Sequence, residues 1–250
     1  FDFKVWYMHE NYIKELQTLK GYILDNKEYK IELTYKDQYT SVVTNKINLN
    51  NYLEKGKLEF TKTDLINGEV IPNTIIEIYT DNDKLIFTGK TDRNGKIVIN
   101  NLKLGKYYIL EKEAATGYTI TDEKVYFEIN KNGEIVKAKM KDKPITGTLE
   151  FTKTDVSTSE ALPNTLIEIY NEKDKLIFSG RTDENGKITI PEIRYGKYYI
   201  VEKEAPEGYK INEEKMYFEI TEDGQVVKCN MLDEAYKVPS TGLSNINYEL

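Results

Sequence analysis

The feature of this sequence that most constrains its fold is an internal repeat. The segment Leu58–Asp64 recurs unchanged as Leu149–Asp155, and the similarity continues without a gap as far as Asp142 in one copy and Asp233 in the other. Similarity at a fixed period is typical of tandem copies of one structural unit. The sequence therefore predicts two copies of one domain, over residues 56–146 and 147–236.

An incomplete third copy precedes these two. The segment Tyr12–Glu15 and the pair Gly21–Tyr22 match Tyr108–Glu111 and Gly117–Tyr118. Residues 1–55 therefore correspond to the second half of a repeat, and we expect the chain to begin within a longer protein. Because the first strand of this copy is missing, we expect its sheet to have an unpaired edge.

The composition favours strands over helices. The chain has 20 Tyr and 8 Phe on a background in which 31% of the residues are charged. Aromatic and β-branched residues are enriched in half-buried strands. Within each repeat, short apolar alternations are separated by turn signals roughly every ten residues, a spacing typical of β-sandwiches. We therefore predict an all-β chain of tandem sandwiches.

Two Asn-Gly pairs predict tight hairpin turns at matching places in the two copies. They lie in Asp92–Gly95 and Asp183–Gly186, and Asn and Gly accept the positive φ that such turns require. A calcium loop is the alternative interpretation of these acidic clusters. The spaced ligands and the closing Glu of an EF-hand are absent, so we predict turns and no metal.

Several functional classes are excluded by composition and charge. The net charge of −7 comes from interspersed acids and bases, whereas a nucleic-acid-binding protein has a clustered cationic surface. The chain contains no run of 18 apolar residues, so we predict no membrane span within it. His9 is the only histidine, which excludes a His-based metal cluster or a Ser–His–Asp triad. Cys229 is the only cysteine, so an internal disulfide is excluded, and we expect its thiol to be buried. We expect no cofactor.

Three polar residues of the first complete copy are in phase with predicted core residues. Since alternate residues of a strand point to the same face, Lys62 shares a face with Phe60. By the same periodicity Asp142 shares a face with Met140, and Glu111 shares one with Ile109 and Tyr107. The pattern predicts one Lys, one Glu and one Asp that point into the core.

The same trio recurs in the second copy as Lys153, Glu202 and Asp233. A single lysine in this phase would usually lie at an exposed strand end. The same three residues recur at the same spacing in both copies, which favours burial of all three. Buried charges are costly unless they are paired or neutralised. The two alternatives for a buried trio are an ion pair and a chemical reaction between its members.

The environment of the trio predicts a reaction. An apolar pocket lowers the pKa of a lysine, which gives a neutral nucleophilic amine, and raises the pKa of a glutamate, which can then stay protonated. We predict that Lys62 attacks the side-chain carbon of Asp142 while Glu111 shuttles protons and water leaves. Glu202 is predicted to have the same catalytic role in the second copy. Each bond forms once, so the chain is not predicted to be an enzyme.

At these positions the sequence resembles the Cna-B, or SpaA-like, repeats of Gram-positive cell-wall-anchored surface proteins and pilins. In that family a first-strand Lys, a Glu before an Ala-Pro-x-Gly-Tyr turn and a last-strand Asn or Asp form an intramolecular isopeptide bond. The segment Glu202–Tyr209 matches the turn motif in full, and Glu111–Tyr118 matches it with Ala115 in place of proline. In the incomplete copy Glu15 and Asn51 fit the Glu and Asn positions, and the partner Lys is absent. The resemblance implies Ig-like, or prealbumin-like, β-sandwiches joined end to end.

The tail, residues 237–250, contains a segment similar to the Leu-Pro-x-Thr-Gly signal that sortase cleaves between Thr and Gly. Its five residues, with Val in place of Leu, are Val238, Pro239, Ser240, Thr241 and Gly242. An ordinary Pro/Gly-containing tail is the alternative. The resemblance implies sortase and peptidoglycan as partners and an extracellular, cell-wall-anchored location.

Three functions are consistent with the sequence. The first is the stalk of a surface protein, of adhesin or pilin type, which would bind a host extracellular-matrix or cell-surface ligand through a domain outside this chain. The second is a pilus subunit polymerised by sortase, although the chain has no Pro-Lys pair of the kind found in pilin motifs. The third is a carbohydrate-binding sandwich. That function needs an exposed aromatic platform, and the sequence shows no obvious cluster of tyrosines.

Overall fold

The computed structural model describes residues 11–32, 39 and 46–236. Strands and turns account for the regular structure of these residues, and none of them forms a helix able to cross a membrane. The chain divides into two compact units, with the boundary after Asp142 and with Thr116–Thr119 grouped in the second unit. The all-β prediction is confirmed.

The strands in the described residues of the incomplete copy are short. They are β1 (Asn11–Lys14), β2 (Tyr22–Ile23), β3 (Glu28–Ile31) and β4 (Tyr52–Leu53). β1 pairs antiparallel with β3, and β2 pairs antiparallel with β4. Glu15 directly follows β1 and is buried, although the side chains of β1 itself are half-buried or exposed.

The first complete copy forms two sheets from seven strands. The strands are β5 (Lys55–Asp64), β6 (Ile75–Thr80), β7 (Leu85–Lys90), β8 (Lys96–Lys103), β9 (Gly105–Glu113), β10 (Val125–Ile129) and β11 (Ile135–Asp142). One sheet has the order β11-β5-β8 and the other has the order β10-β9-β6-β7. The first and last of these strands, β5 and β11, are parallel neighbours.

The core lies between the two sheets. Burial alternates residue by residue along β5, as expected for a strand with one face on a core. Leu58 and Phe60 of this strand pack in one cluster with Ile76 and Ile78 of β6 and with Ile109 of β9. Side chains from both sheets therefore share one apolar layer, which confirms the predicted sandwich.

The second complete copy repeats this arrangement. Its strands are β12 (Thr146–Asp155), β13 (Leu166–Asn171), β14 (Leu176–Arg181), β15 (Lys187–Arg194), β16 (Gly196–Glu204), β17 (Met216–Ile220) and β18 (Val226–Asp233). The sheets have the orders β15-β12-β18 and β14-β13-β16-β17. β12 and β18 are again parallel neighbours. Leu149, Phe151 and Ile200 are fully buried in its core.

The predicted Asn-Gly turns are present, but the hairpins are not. Gly95 has φ +67°, and Oδ1 of Asp92 accepts hydrogen bonds from the main-chain amides of Asn94 and Lys96, both at 2.8 Å. The turn joins β7 to β8, which belong to different sheets. The hairpin prediction was wrong because a sandwich passes the chain from one sheet to the other at this point.

Candidate functional site

A lysine and two carboxylic acids meet in the core of the first complete copy. The side chains of Lys62, Glu111 and Asp142 are all fully shielded from solvent. Nζ of Lys62 lies 3.2 Å from Oε1 of Glu111 and 2.5 Å from Oδ1 of Asp142. The structure thus brings together the three residues that the sequence pattern selected.

The parallel pairing of β5 with β11 positions the lysine and the aspartate. Lys62 is the register partner of Met140, and Asp142 follows Met140 by two residues. Residues two apart on a strand point to the same face. Asp142 therefore faces the core beside Met140 and lies diagonally opposite Lys62.

The glutamate comes from the opposite sheet. A β-bulge interrupts the pairing of β6 with β9, so that Ile75 lies opposite Glu113 while Ile76 lies opposite Glu111. Bulges of this kind re-aim a side chain. Oε2 of Glu111 accepts a hydrogen bond from the main-chain amide of Thr121 at 2.9 Å. This bond anchors one carboxyl oxygen, and the other lies next to Lys62.

The second complete copy contains an equivalent cluster. Lys153, Glu202 and Asp233 have fully buried side chains, and Nζ of Lys153 donates hydrogen bonds to Oδ1 of Asp233 and to Oε2 of Glu202, the latter at 3.0 Å. The main-chain amide of Asn212 donates to Oε2 of Glu202 at 2.7 Å. The same three residue types and the same anchoring amide therefore occur in both copies.

Burial raises the pKa of a carboxyl group in each cluster. Desolvation raises the pKa of Asp142 to about 7, against the opposing attraction of the neighbouring Lys62 amine. Desolvation also raises the pKa of Glu202, against the hydrogen bonds from Asn212 and Lys153. Loss of solvent disfavours the charged form of an acid. Each cluster therefore contains a carboxyl group that favours its neutral form more than a solvent-exposed one would.

The polar atoms of the first cluster are close to one another without being hydrogen-bonded. Nζ of Lys62 and both carboxyl oxygens of Asp142 have no hydrogen-bond partner of suitable geometry among the described residues, although Nζ lies 2.5 Å from Oδ1. A stable buried ion pair needs directional hydrogen bonds to offset the desolvation of its charges. In the second cluster Nζ of Lys153 does donate hydrogen bonds to Asp233 and Glu202, so the two clusters differ in this detail.

The incomplete copy brings the corresponding Glu and Asn together. Glu15 is 7% exposed, and Nδ2 of Asn51 donates a hydrogen bond to its Oε1 at 2.8 Å. The main-chain amide of Asp25 donates to Oε2 of Glu15, also at 2.8 Å. The two residues that fit the family pattern are therefore in contact.

The sequence pattern missed one further buried acid. Asp64 follows Lys62 by two residues on the same face and is 1% exposed. Its Oδ1 accepts hydrogen bonds from the main-chain amides of Ile66 at 2.7 Å and Asn67 at 3.0 Å. In the second copy equivalent main-chain hydrogen bonds lower the pKa of Asp155. Asp64 therefore stabilises the turn after the first strand. Extending the alternation of inward-facing residues from Lys62 to the next inward position would have identified it.

A row of tyrosines crosses three strands on the face away from the core. Tyr79 and Tyr108 stack with ring centroids 5.1 Å apart, Tyr126 lies 5.9 Å from Tyr108, and Nζ of Lys124 lies 4.1 Å from the centre of the Tyr108 ring. The interpretation that the tyrosines form no cluster was wrong. The second copy has the same row in Tyr170, Tyr199, Tyr217 and Lys215.

This row stabilises the sheet. Tyr79, Tyr108 and Tyr126 are direct register partners, and such cross-strand aromatic pairs contribute about 0.2–1 kcal/mol each. The rings cover one another, Lys124 covers Tyr108, and the hydroxyl of Tyr108 donates to Asp83 at 2.8 Å. Tyr108, at the centre of the row, is buried, whereas Tyr126 at its edge is 71% exposed.

Other candidate residues fall outside clusters or outside the described part of the chain. Cys229 is half-buried, not fully buried, and burial raises the pKa of its thiol. Among the described residues no group of three or more His, Cys, Asp or Glu side chains is arranged to hold a metal ion. His9 and the sorting-signal residues Val238–Gly242 lie outside the described residues.

The family of SpaA prealbumin-like fold domains matches residues 56–144 and again residues 147–235. These two matches correspond to the two complete copies of the repeat and include both buried clusters. The chain belongs to this family. The family resemblance seen in the sequence is confirmed, together with the prealbumin-like class of sandwich that it implied.

Known relatives of this SpaA-family chain are longer proteins. Serine-aspartate repeat-containing protein D of Staphylococcus aureus is 27% identical over 207 residues, which cover 74% of this chain and 14% of that protein. The Bacillus anthracis TIE protein has a structure that is 40% identical, with a TM-score of 0.77, and the similarity covers 90% of this chain and 41% of that one. This chain therefore corresponds to less than half of the length of either relative.

A third comparison shows the fold alone. The C-terminal fragment of the pilus adhesin SpaC from Lactobacillus rhamnosus GG is 15% identical, with a TM-score of 0.52. The similarity covers 73% of this chain and 98% of that fragment. The fold is thus shared with a protein of very different sequence.

Proposed function

We propose that this chain is part of the stalk of a Gram-positive surface protein and that each complete repeat locks itself with a Lys–Asp amide bond. The observation that carries this proposal is the solvent-free cluster of one Lys, one Glu and one Asp, present in both copies. The relationship to a pilus adhesin and to the SpaA family supports a structural role at the cell surface.

In the first repeat the reaction joins Lys62 to Asp142. The neutral amine attacks Cγ of Asp142, and Glu111 accepts a proton from Nζ and delivers a proton to the departing hydroxyl. One C–N bond forms, one C–O bond breaks and one water leaves. The raised pKa of Asp142 supports this route, because the neutral carboxyl is the form that can react with an amine in this way.

Two physical factors allow this reaction without an enzyme. Nζ is held within 2.5 Å of a carboxyl oxygen, and fixed reactants of this kind reach effective concentrations of roughly 10⁵–10⁸ M. The product is a neutral amide. It therefore removes two ionisable groups from an environment where each charge costs on the order of several kcal/mol.

The bond would join the first and last strands of each sandwich. In the second repeat it would close a loop of 80 residues between Lys153 and Asp233. A cross-link of that span stabilises a domain by about 4.5 kcal/mol through the entropy of the unfolded chain. Tension applied at the two ends of a repeat would pass through the bond, which suits a stalk better than a catalyst.

The proposal that the protein is anchored to the cell wall rests on the sequence of Val238–Gly242 alone. We propose that sortase cleaves between Thr241 and Gly242 and joins the protein to peptidoglycan outside the cell. In a chain fused to an apolar sorting tail, the combined substitution Thr241→Ala and Gly242→Ala should abolish release of the tail and covalent wall attachment. Wall attachment that persists in this variant would contradict the assignment.

A pilus subunit is the second candidate, supported by the shared fold with a pilus adhesin. Sortase-dependent polymers of the chain would favour it, whereas single anchored chains would favour the stalk. The carbohydrate-binding candidate has less support because Tyr108, the central ring of the row, is buried between Tyr79 and Tyr126. A host ligand would be bound by a domain outside this chain.

The mass of the intact chain tests the amide bonds directly. Two completed bonds make the chain lighter than its sequence by two waters, and peptide mapping should find Lys62 joined to Asp142 and Lys153 joined to Asp233. Lys153→Ala should restore one water and leave the first bond in place. A wild-type chain with the full sequence mass would show that both clusters are only ion pairs.

A further inference from the structure

Three lysines project in a row from the outer face of β11, the last strand of the first complete copy. Lys137, Lys139 and Lys141 alternate with the inward residues Ala138 and Met140, and all three lysines are exposed. Residues two apart on one face of a strand are about 6.7 Å apart along it. The row is therefore evenly spaced, although apolar residues separate its members in the sequence.

The strand register adds two further lysines to this face. Lys139 lies opposite Thr61 of β5, and Thr61 in turn lies opposite Lys96 of β8. Lys57 and Glu59 share the outer face of β5, and Nζ of Lys57 lies 2.6 Å from Oε1 of Glu59. What we call the lysine face consists of five lysines and one glutamate: Lys57, Lys96, Lys137, Lys139, Lys141 and Glu59.

The lysine face carries positive charge that its own residues do not neutralise. Five lysines against one glutamate give a formal charge of +4, in a chain whose net charge is −7. Glu59 is paired with Lys57, and the other four lysines form no ion pair within 4 Å with any residue that the structure describes. In the turn before Lys96, Oδ1 of Asp92 is occupied by hydrogen bonds from two main-chain amides. A surface region of one sign attracts partners of the opposite charge.

The second complete copy has the same strands without this concentration of charge. Thr148, Asn230 and Leu232 stand at the positions of Lys57, Lys139 and Lys141. Two lysines of the five remain, Lys187 and Lys228. Nζ of Lys228 lies 3.3 Å from Oε2 of Glu150, so one of the two is paired with an acid. The lysine face is therefore a property of the first copy and not of the fold.

Protection of a sheet edge does not account for the row. Lysines on an edge strand commonly prevent pairing with another sheet, and β11 is an edge strand. The strand β18 is an edge strand of the same kind, yet it has one lysine where β11 has three. The two additional lysines therefore call for a different explanation.

The residue types on the face indicate the kind of anion that it suits. Lysine acts as a point charge, whereas arginine gives planar, bidentate recognition of a single phosphate or carboxylate. Of the strand residues that the structure describes on this face, none is an arginine or an aromatic residue. Nucleic-acid bases stack on aromatic side chains, and sugar rings pack on them as well. The face thus favours a polyanion without bases or sugar rings.

We propose that the lysine face binds a linear phosphodiester polymer of a simple polyol, such as a glycerol phosphate chain. The flexible polymer lies along β11, with successive phosphates beside Lys137, Lys139 and Lys141, and a further phosphate contacts Lys96. Each contact replaces counterions, so binding weakens as the salt concentration rises. This inference goes beyond the stalk function and does not depend on the amide bonds.

The test uses the full chain and a synthetic glycerol phosphate oligomer. Calorimetric titration should find one oligomer bound per chain. For a single-stranded polyanion, the logarithm of the binding constant falls with the logarithm of the salt concentration with a slope of about −0.7 per phosphate contact, so four contacts give about −2.8. The affinity should therefore fall about 50-fold between about 50 and 200 mM salt.

Exchanging residues between the copies identifies the face. Lys139→Asn with Lys141→Leu gives the first copy the residues of the second, and the slope should become about −1.4 because two contacts are lost. Lys84→Asn with Lys90→Asn is the matched control, since it removes two exposed lysines at the ends of β7 in the other sheet. The control should keep the wild-type slope.

The reciprocal exchange should create a second binding face. Thr148→Lys, Asn230→Lys and Leu232→Lys together supply the three lysines that the second copy lacks. These positions lie on the outer face of β12 and β18, so the sandwich core is unchanged. This variant should bind two oligomers per chain where the wild type binds one.

Several results would overturn the proposal. The first is a wild-type chain that binds no glycerol phosphate oligomer at about 50 mM salt. The second is an equal loss of affinity in the two double variants. Tighter binding of an oligothymidylate or of heparin would show that the ligand carries bases or sulfated sugars and would overturn the assigned ligand class. Failure of the proposed function is seen separately, as the full sequence mass of the chain.

Discussion

The main-chain amide of Lys62 donates a hydrogen bond to the carbonyl oxygen of Gly95 at 2.8 Å. The carbonyl oxygen of Lys62 accepts a hydrogen bond from the amide of Ile71 at 3.0 Å. Gly186 accepts the corresponding bond from Lys153, also at 2.8 Å. A tight turn thus fixes the backbone of each lysine beside its cluster.

Gly95→Ala should disturb this arrangement in the first repeat. An added Cβ would lie 2.7 Å from the carbonyl oxygen of Lys62. The positive φ of +67° adds about 1–2 kcal/mol of strain for a residue other than glycine. We expect slower formation of the first bond and a normal second bond, measured by peptide mapping at intervals after refolding.

Gly133→Ala is the matched control for this substitution. Gly133 has a similar φ of +76°, but an added Cβ there would meet no atom within 4 Å. This variant should lose a comparable amount of stability from strain and should form both bonds at the normal rate. Equal effects of the two substitutions on bond formation would contradict a role for the contact between Gly95 and Lys62.

Glu202→Gln should leave Lys153 and Asp233 in place and largely unreacted. Glutamine can still accept the hydrogen bond from Asn212, but it cannot exchange protons, so the rate should fall about 10²- to 10⁴-fold. The chain should then be one water lighter than its sequence, where the wild type is two waters lighter. Glu204→Gln changes an exposed residue of the same strand and should leave both bonds unaffected.

The stability of an unreacted first repeat should fall as pH rises. In Glu111→Gln, which we expect to stay unreacted, burial, the largest cause of the shift, still keeps the pKa of Asp142 above its usual 3.8. The folded state then holds the proton more tightly than the unfolded chain does, so the stabilisation is complete below pH 3.8 and is lost as pH rises through the raised pKa of the folded state. The repeat should unfold in less urea at pH 8 than at pH 5.

Hydrogen exchange of peptides from residues 55–142 can follow this transition separately from the second repeat. Other titrating groups contribute to any pH effect, so the double variant Glu111→Gln with Asp142→Asn provides the reference. The difference between the two variants should shrink as pH rises from 5 to 8. A difference that stays constant over this range would contradict the raised pKa of Asp142.

Pulling the chain by its ends should not extend the residues enclosed by either bond. The 80-residue segment between Lys153 and Asp233 would add about 270 Å of length if it unravelled. Asp233→Ala should release this length in one additional unfolding event, while Glu213→Ala, at an exposed position, should not. Full extension of both wild-type repeats at ordinary unfolding forces would refute the proposed cross-links.

The alternation of residues predicted most of the candidate site. Lys62, Glu111 and Asp142 could be selected because burial repeats at every second residue of a strand, and that rule depends on the local sequence alone. The same rule applied one step further would have added Asp64. The distances between these residues could not be predicted, because they depend on the parallel register of β5 with β11 and on the bulge beside Glu111.

Features that depend on pairing between distant strands were missed. Tyr79, Tyr108 and Tyr126 form a row only because three strands align in one register. The turn at Asp92–Gly95 has the sequence of a hairpin, but β7 and β8 pair with other strands. Turn chemistry specifies local backbone angles, and it does not specify which sheet the next strand joins.

The parallel pairing of β5 with β11 has a mechanical consequence that precedes any chemistry. The start of the first strand and the end of the last lie at opposite ends of their shared ladder, so tension on the chain slides the strands past each other lengthwise. The cross-strand hydrogen bonds are then strained together in shear, whereas peeling would break them one at a time. A newly folded repeat therefore resists being pulled apart while its lysine and aspartate are still unjoined.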